Sequence, residues 1–255
     1  MHQNLNRYSS CIGWLLASKY LLVFGFALGL VALTPESILA AGIIKPMRYD
    51  AAAMERALRP ALEKTQLRYG APVYIRIFKQ ESALEVWLQA QDGRYQLFKN
   101  YPICAWSGSL GPKLRQGDNQ APEGFYNVGI SQLNPNSRFH LAFNLGYPNA
   151  YDRANERTGD FLMVHGNCVS IGCYAMGDAA IEEIYTLVGA ALVHGQARVP
   201  VHVFPFRLTK VALSAQRQHG WHDFWQDLQP AYTQFEQTRR VPRVTIAQRR
   251  YVVSP

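Results

Sequence analysis

From Pro72 onward the chain runs through three successive stretches of alternating or continuous apolar character, Val73–Lys79, Ala83–Gln89 and Tyr95–Cys104, with Gln91-Asp92-Gly93 as a turn between the last two. Side chains on a strand point to opposite faces in turn, so a period of two reads as strands. Three of them in sequence predict a β-meander. Further strands are expected over 124–130 and 140–145, with a turn at 134–137. Val199–Leu208 reads as a strand that its prolines push to a sheet edge.

Helical periodicity frames these strands. Asp50 is a plausible cap for a helix over 50–69, with Met54, Ala57, Leu58, Ala61 and Leu62 on its apolar side and Gly70 as its stop; Pro60 should kink or split it. Asp178 opens a second helix whose stripe is Ile181, Ile184, Tyr185, Val188 and Leu192. From Gln216 an aromatic amphipathic helix carries Trp221, Phe224, Trp225, Leu228, Tyr232 and Phe235, and five arginines follow between Arg239 and Arg250. The class expected is α+β, mainly β, with flanking helices and a C-terminal helical extension. The expected segments are a leader or anchor at 1–41, a helical lead-in at 42–70, the main domain at 71–210, and a C-terminal helix with a basic tail at 211–255 that packs on it.

The leader reading rests on Arg7 and Lys19 ahead of the apolar run Tyr20–Leu33, which is short for a membrane span of ~20 residues. A peptidase could cut near Ala40 or Ala41, which implies export to the periplasm. An uncleaved anchor is the alternative, because Ile12–Ala17 lengthens the apolar stretch. No lipobox cysteine sits just after the run, which argues against a lipoprotein. Without Cys11 the chain keeps Cys104, Cys168 and Cys173, an odd number, and in an oxidising compartment this suggests one pair and one reactive thiol. We expect Cys104 with Cys168, sparing Cys173, against three unpaired thiols.

The chemistry concentrates in residues 160–176. Phe161–Val164 reads as a buried strand that delivers His165 at its end, and Cys173 follows in a Ser-x-Gly-Cys turn. An imidazole can lower a thiol from its ordinary pKa near ~8.5, and the thiolate can attack a carbonyl while the imidazolium later protonates the leaving amine. Gly172 allows a sharp turn, so amides beside Cys173 can face a developing oxyanion. Ser170 either orients His165 or holds the turn. The competing readings are an inert buried cysteine and a zinc site using His165, Cys168 and Cys173, although structural zinc requires four ligands. Just upstream, the polar stretch 146–159 is long enough to serve as a wall or lid, with Tyr147, Asn149 and Asp152 as candidate substrate-binding side chains.

The runs HGNCVSIGCYAM and FNLGYPNAYDRANERTGDFLMV resemble the L,D-transpeptidase (YkuD-type) family, in its YafK-like murein transpeptidase/amidase branch. Gly117–Tyr126 is similar to the Pro-x-Gly-aromatic segment that precedes the active-site strands of these domains. The likeness extends over roughly residues 70 to 210. There are two departures: Ala175 stands where the family usually has an arginine, and His165 lies closer to Cys173 than is usual.

The resemblance implies a YkuD-type β-sandwich or barrel-like sheet, with Cys173 as nucleophile, His165 as general acid and base, and the backbone at Gly172 in the oxyanion hole. Gly166 and Tyr174 join the substrate-binding candidates. The implied donor is a peptidoglycan stem peptide, attacked at the diaminopimelate L-centre and passed to an amine in crosslinking or in protein-to-wall attachment. With water as acceptor the same route is an amidase that would release a wall-linked outer-membrane lipoprotein. No cofactor and no metal are implied. A noncatalytic wall-binding or zinc-stabilised module is the reading from another class.

The charge of +8 and pI of about 9.4 suit an exported protein held near anionic wall polymers. Export argues against nucleic acid as the partner, and no Cys-x-x-Cys suggests a thiol oxidoreductase.

Overall fold

The computed structural model describes residues 49–254; the segment expected as a leader or anchor, the expected cleavage site and Cys11 lie outside them. Among the described residues no helix is long and apolar enough to cross a membrane.

Among the described residues, two five-stranded sheets and five helices make an α+β fold in which strands outnumber helices. The first sheet contains β1 (Val73–Phe78), β2 (Ala83–Gln89), β3 (Tyr95–Pro102), β5 (Gly124–Val128) and β10 (Val199–Phe204), in the order β3-β2-β1-β10-β5. The second contains β4 (Ala105–Trp106), β6 (Leu133–Ser137), β7 (His140–Asn144), β8 (Met163–His165) and β9 (Tyr174–Ala175), in the order β4-β9-β8-β7-β6. The meander is present: β1 pairs antiparallel with β2, and β2 with β3.

Alternation along β1 does not separate core from solvent, since all six of its residues are buried. It separates two cores. Val73, Ile75 and Ile77 join the large cluster that includes α3 (Asp178–Val193), whereas Tyr74 and Phe78 face aromatics of α5 (His222–Thr238). The aromatic stripe read from Gln216 onward is thus the second cover of the first sheet, with Trp225, Leu228 and Phe235 buried. Arg76 points the same way. Its guanidinium lies 4.8–5.0 Å from the ring centres of Phe78, Tyr232 and Phe235, and it bonds Glu236 Oε1 at 2.7 Å.

Three expectations need correction. The proline-bearing strand β10 is central, not at an edge, because it pairs parallel with β1 and antiparallel with β5. Pro200 is tolerated there since pairing with β1 begins only at Val201, so its missing N–H costs that ladder nothing. The N-terminal helix α1 (Ala51–Lys64) is capped by Asp50 but runs through Pro60 and stops at Thr65, well before Gly70. The basic tail is a hairpin, β11 (Arg243–Ala247) with β12 (Arg250–Ser254).

A buried ion pair connects β1 to the loop beyond β4. Lys79 and Glu123 are both fully buried, with Nζ 3.1 Å from Oε1. Lys79 also donates to the carbonyls of Ser109, Gly111 and Ala121, while Glu123 accepts from the Gly111 amide and from Trp225 Nε1 of α5. Burial presses the lysine pKa down, and Glu123 pulls it back up. Removing one partner strands a desolvated charge, so Glu123→Gln is expected to lower unfolding stability by about 3–5 kcal/mol in urea titrations.

Candidate active site

His165 is the last residue of β8, where it pairs with Ala142 of β7 on one side and with Ala175 of β9 on the other. The β8–β9 pairing is parallel, and the chain between them is only the loop Gly166–Cys173. Cys173 therefore arrives at the start of β9 beside Met163, whose amide donates to the sulfur at 3.4 Å. Residues 163 and 165 of one strand share a face, so the thiol and the imidazole open onto the same cavity of about 540 Å³.

The loop is held at several points. Cys168 is joined to Cys104 in a disulfide with a Cα–Cα distance of 5.3 Å, and Cys173 is free. Since Cys104 N–H also bonds Ala175 O at 2.8 Å, the disulfide fastens the loop to the strand it leads into. The Asn167 amide donates to Asp178 at the start of α3. Gly172 sits at φ +135, where a side chain would be strained. Gly166 has no room for a Cβ, which would lie 2.6 Å from Asp178 Oδ1 and 2.7 Å from Phe139 O.

Ser170 does not orient His165. Its hydroxyl donates to Cys173 O at 2.7 Å and accepts from Gly172 N at 3.2 Å, so it holds the turn, the other of its two expected roles. The Gly172 amide, expected to face the oxyanion, is thereby engaged by Ser170. His165 is oriented instead by backbone: Nδ1 bonds Gly166 O at 2.6 Å. A carbonyl can only accept, so Nδ1 carries the proton and Nε2 is the basic nitrogen.

Four other candidates are structural. Tyr147 is buried, its hydroxyl donating to Lys113 O at 3.2 Å. Asn149 and Asp152 form a reciprocal cap on α2 (Ala150–Ala154), a short helix inside the stretch read as loop. Asn149 Nδ2 further donates to Phe125 O, and the buried Asp152 pairs with Arg157 at 2.9 Å. Tyr174 is fully buried and donates to Pro122 O. None of the four lines the cavity. Side chains that do line it include Lys113, Arg138, Phe139 and Phe161. Ala175, where the resemblance expects an arginine, is fully buried in β9 and does not line the cavity, whereas Arg138 does so from another strand end.

Electrostatically the site differs from a preformed ion pair. Burial pushes the Cys173 thiol up, more than the Met163 amide and the Lys113 charge pull it down. Burial also pushes His165 below its ordinary value, against the Gly166 carbonyl. Both groups rest neutral at pH 7. The thiol points toward Phe161 O at 3.7 Å. The zinc reading loses Cys168 to the disulfide. Among the described residues no cluster of three His, Cys, Asp or Glu side chains could hold a metal.

A free thiol and an imidazole of defined tautomer facing one cavity define a candidate cysteine acyl-transfer site. No family model matches the chain. It is 50% identical over 192 residues to "Putative L,D-transpeptidase YafK" of Escherichia coli (strain K12), across 75% of this chain and 78% of that protein, and equally to its counterpart in Escherichia coli O157:H7. Among solved structures it is similar to the helical cell shape determining protein Pgp2 of Campylobacter jejuni, at 18% identity over 74% of this chain and 80% of that one, with a TM-score of 0.43. Bd1075 of Bdellovibrio bacteriovorus aligns at 18% identity over 66% of this chain and 56% of its own, with a TM-score of 0.37. On the strength of the Escherichia coli relatives, the chain belongs to the YafK-like L,D-transpeptidase family.

The neutral resting pair has a direct consequence. Thiolate forms only as pH rises past a pKa that burial has raised, so alkylation of Cys173 by iodoacetamide should accelerate with a midpoint above pH 9. An acidic midpoint would indicate a resting thiolate–imidazolium pair instead.

Proposed function

We propose that the protein is an exported peptidoglycan L,D-transpeptidase working through an acyl-enzyme on Cys173. The observation that carries this reading is that Cys173 is left free while Cys104 and Cys168 pair, and that its sulfur opens onto the same cavity as His165. Membership of the YafK-like family supports peptidoglycan as the substrate class. The disulfide and the leader-like N-terminus support the periplasm as its location.

The donor stem peptide enters with the carbonyl of its diaminopimelate L-centre beside the sulfur. His165 Nε2 takes the thiol proton as Sγ attacks, and the oxyanion forms against the Cys173 amide. Collapse breaks the peptide bond, and the imidazolium returns its proton to the leaving amine, leaving a thioester. An acceptor amine then gives up a proton to Nε2 and attacks the thioester, forming a new amide and releasing the thiol. When that amine belongs to another stem the outcome is a crosslink, and when it belongs to a lysine of a wall protein the outcome is attachment. Water in the same place gives the amidase reaction that would free a wall-linked lipoprotein.

Purified protein incubated with muropeptides, with and without protein-linked stems, and followed by mass analysis separates these outcomes. Cys173→Ala is expected to reduce turnover at least about a thousandfold and His165→Ala about a hundredfold or more, both with unchanged thermal unfolding. Full turnover by Cys173→Ala would make the cavity a binding site rather than a reactive one.

A further inference from the structure

The turn joining β6 to β7 carries a feature that the acyl-transfer chemistry above does not use. Ser137 pairs with His140, which leaves Arg138 and Phe139 at the tip, and the Phe139 ring stacks on the His165 ring with centroids 4.8 Å apart and planes at 30°. The tip is held on both sides. Ser137 Oγ accepts from Phe139 N–H at 3.0 Å, and His140, at φ +68, bonds Glu182 Oε1 of α3 through Nε2 at 2.7 Å. The Gly166 amide donates to Leu141 O at 3.0 Å, and the missing Cβ of Gly166 is what lets Phe139 O come so close.

An imidazole is located by its edge and by its faces. The edge is fixed by Gly166 O, but a single hydrogen bond leaves the ring free to rotate about that axis. We propose that Phe139 is a positioning residue for His165: its ring sets the plane of the imidazole and keeps water from that face, so that Nε2 stays presented to the cavity beside Cys173. The inference rests on the acyl-transfer reading of the site, but its test requires no turnover.

Several charged or titratable groups surround the imidazole. Arg138 stands on the same turn, Lys113 and Asp160 line the same cavity, and Cys173 lies across the β8–β9 pairing. Asp178 and the His140–Glu182 pair lie toward α3. The cations disfavour a protonated ring and the carboxylates favour it, but burial is the largest influence on His165, and Phe139 supplies part of that burial. Removing the ring wets the imidazole, which eases its protonation and raises its pKa.

The test is nitrogen-15 NMR titration of the histidine rings in the full chain, for the native protein and for Phe139→Ala, Phe139→Leu and Phe139→Tyr. The native ring should titrate below 6.5 in the Nδ1–H tautomer. In Phe139→Ala the midpoint should rise by roughly 0.5 or more and the tautomer should become mixed. Phe139→Tyr should restore the native behaviour, with Phe139→Leu between the two. In muropeptide assays the acid limb should move with the ring, and kcat should fall roughly tenfold while KM stays within about twofold. A folded Phe139→Ala protein with native midpoint and tautomer would overturn the proposal; if that variant does not fold, the same result in Phe139→Leu would overturn it. A ring that responds as expected in a protein that never acylates Cys173 would sustain the positioning role while removing the acyl-transfer reading.

Discussion

Two very short strands lying parallel, β8 and β9, decide where everything else at the site must be. Their register sets Val164 opposite Tyr174 and His165 opposite Ala175, so the residue entering β9 comes level with Met163. Parallel neighbours ordinarily need a crossover of a dozen or more residues. Here Gly166–Cys173 makes the return, and it can do so because it is pinned at several points: the disulfide to Cys104, the Asn167 contact with Asp178, the Ser170 hydroxyl and the unusual backbone angle of Gly172. The close spacing of His165 and Cys173 in sequence is a consequence of that compact return.

A second constraint works from beneath. The Lys79–Glu123 pair gathers the carbonyls of Ser109, Gly111 and Ala121 around one buried ammonium, and so shapes the loop that brings Lys113 to the cavity and Gln120 O close to Gly172. Trp225 reaches the same glutamate from α5. The C-terminal helix is thereby tied to the loop that borders the Cys173 turn, as well as covering the first sheet. A buried pair of this kind is an expensive way to gain stability, but it defines one loop geometry.

Much of this was legible in the chain. The period-two runs revealed the meander, the aromatic stripe revealed a docking helix, and the His-Gly and Ser-x-Gly-Cys pattern singled out the imidazole and the free thiol that line one cavity. The parity of the cysteines suggested one pair and one free thiol, and the expected Cys104–Cys168 pair is the one that forms. What was hidden depends on contacts distant in sequence. Nothing about Val199–Phe204 announces that it will sit between β1 and β5, because prolines argue for an edge and only the register shows that Pro200 precedes the ladder with β1. Tyr147, Asn149 and Asp152 looked like lid residues because polar side chains in a long segment resemble solvent-facing ones; capping bonds and burial put them to structural use instead. The groups that set the imidazole, Gly166 O and the Phe139 face, leave no sequence signature, one being backbone and the other an aromatic on a separate hairpin.

Burial leaves the resting pair uncharged, so the proposed acyl transfer requires a proton to pass from sulfur to Nε2 when a carbonyl is in place. The thioester is the species that distinguishes this chemistry from binding alone. The most direct measurement is rapid mixing with a tetrapeptide stem, acid quenching and mass analysis of the peptide containing Cys173. The account expects that peptide to gain the mass of the acyl portion of the donor, and Cys173→Ala to show no adduct anywhere. Turnover with no adduct on Cys173, or an adduct on another residue, would contradict it.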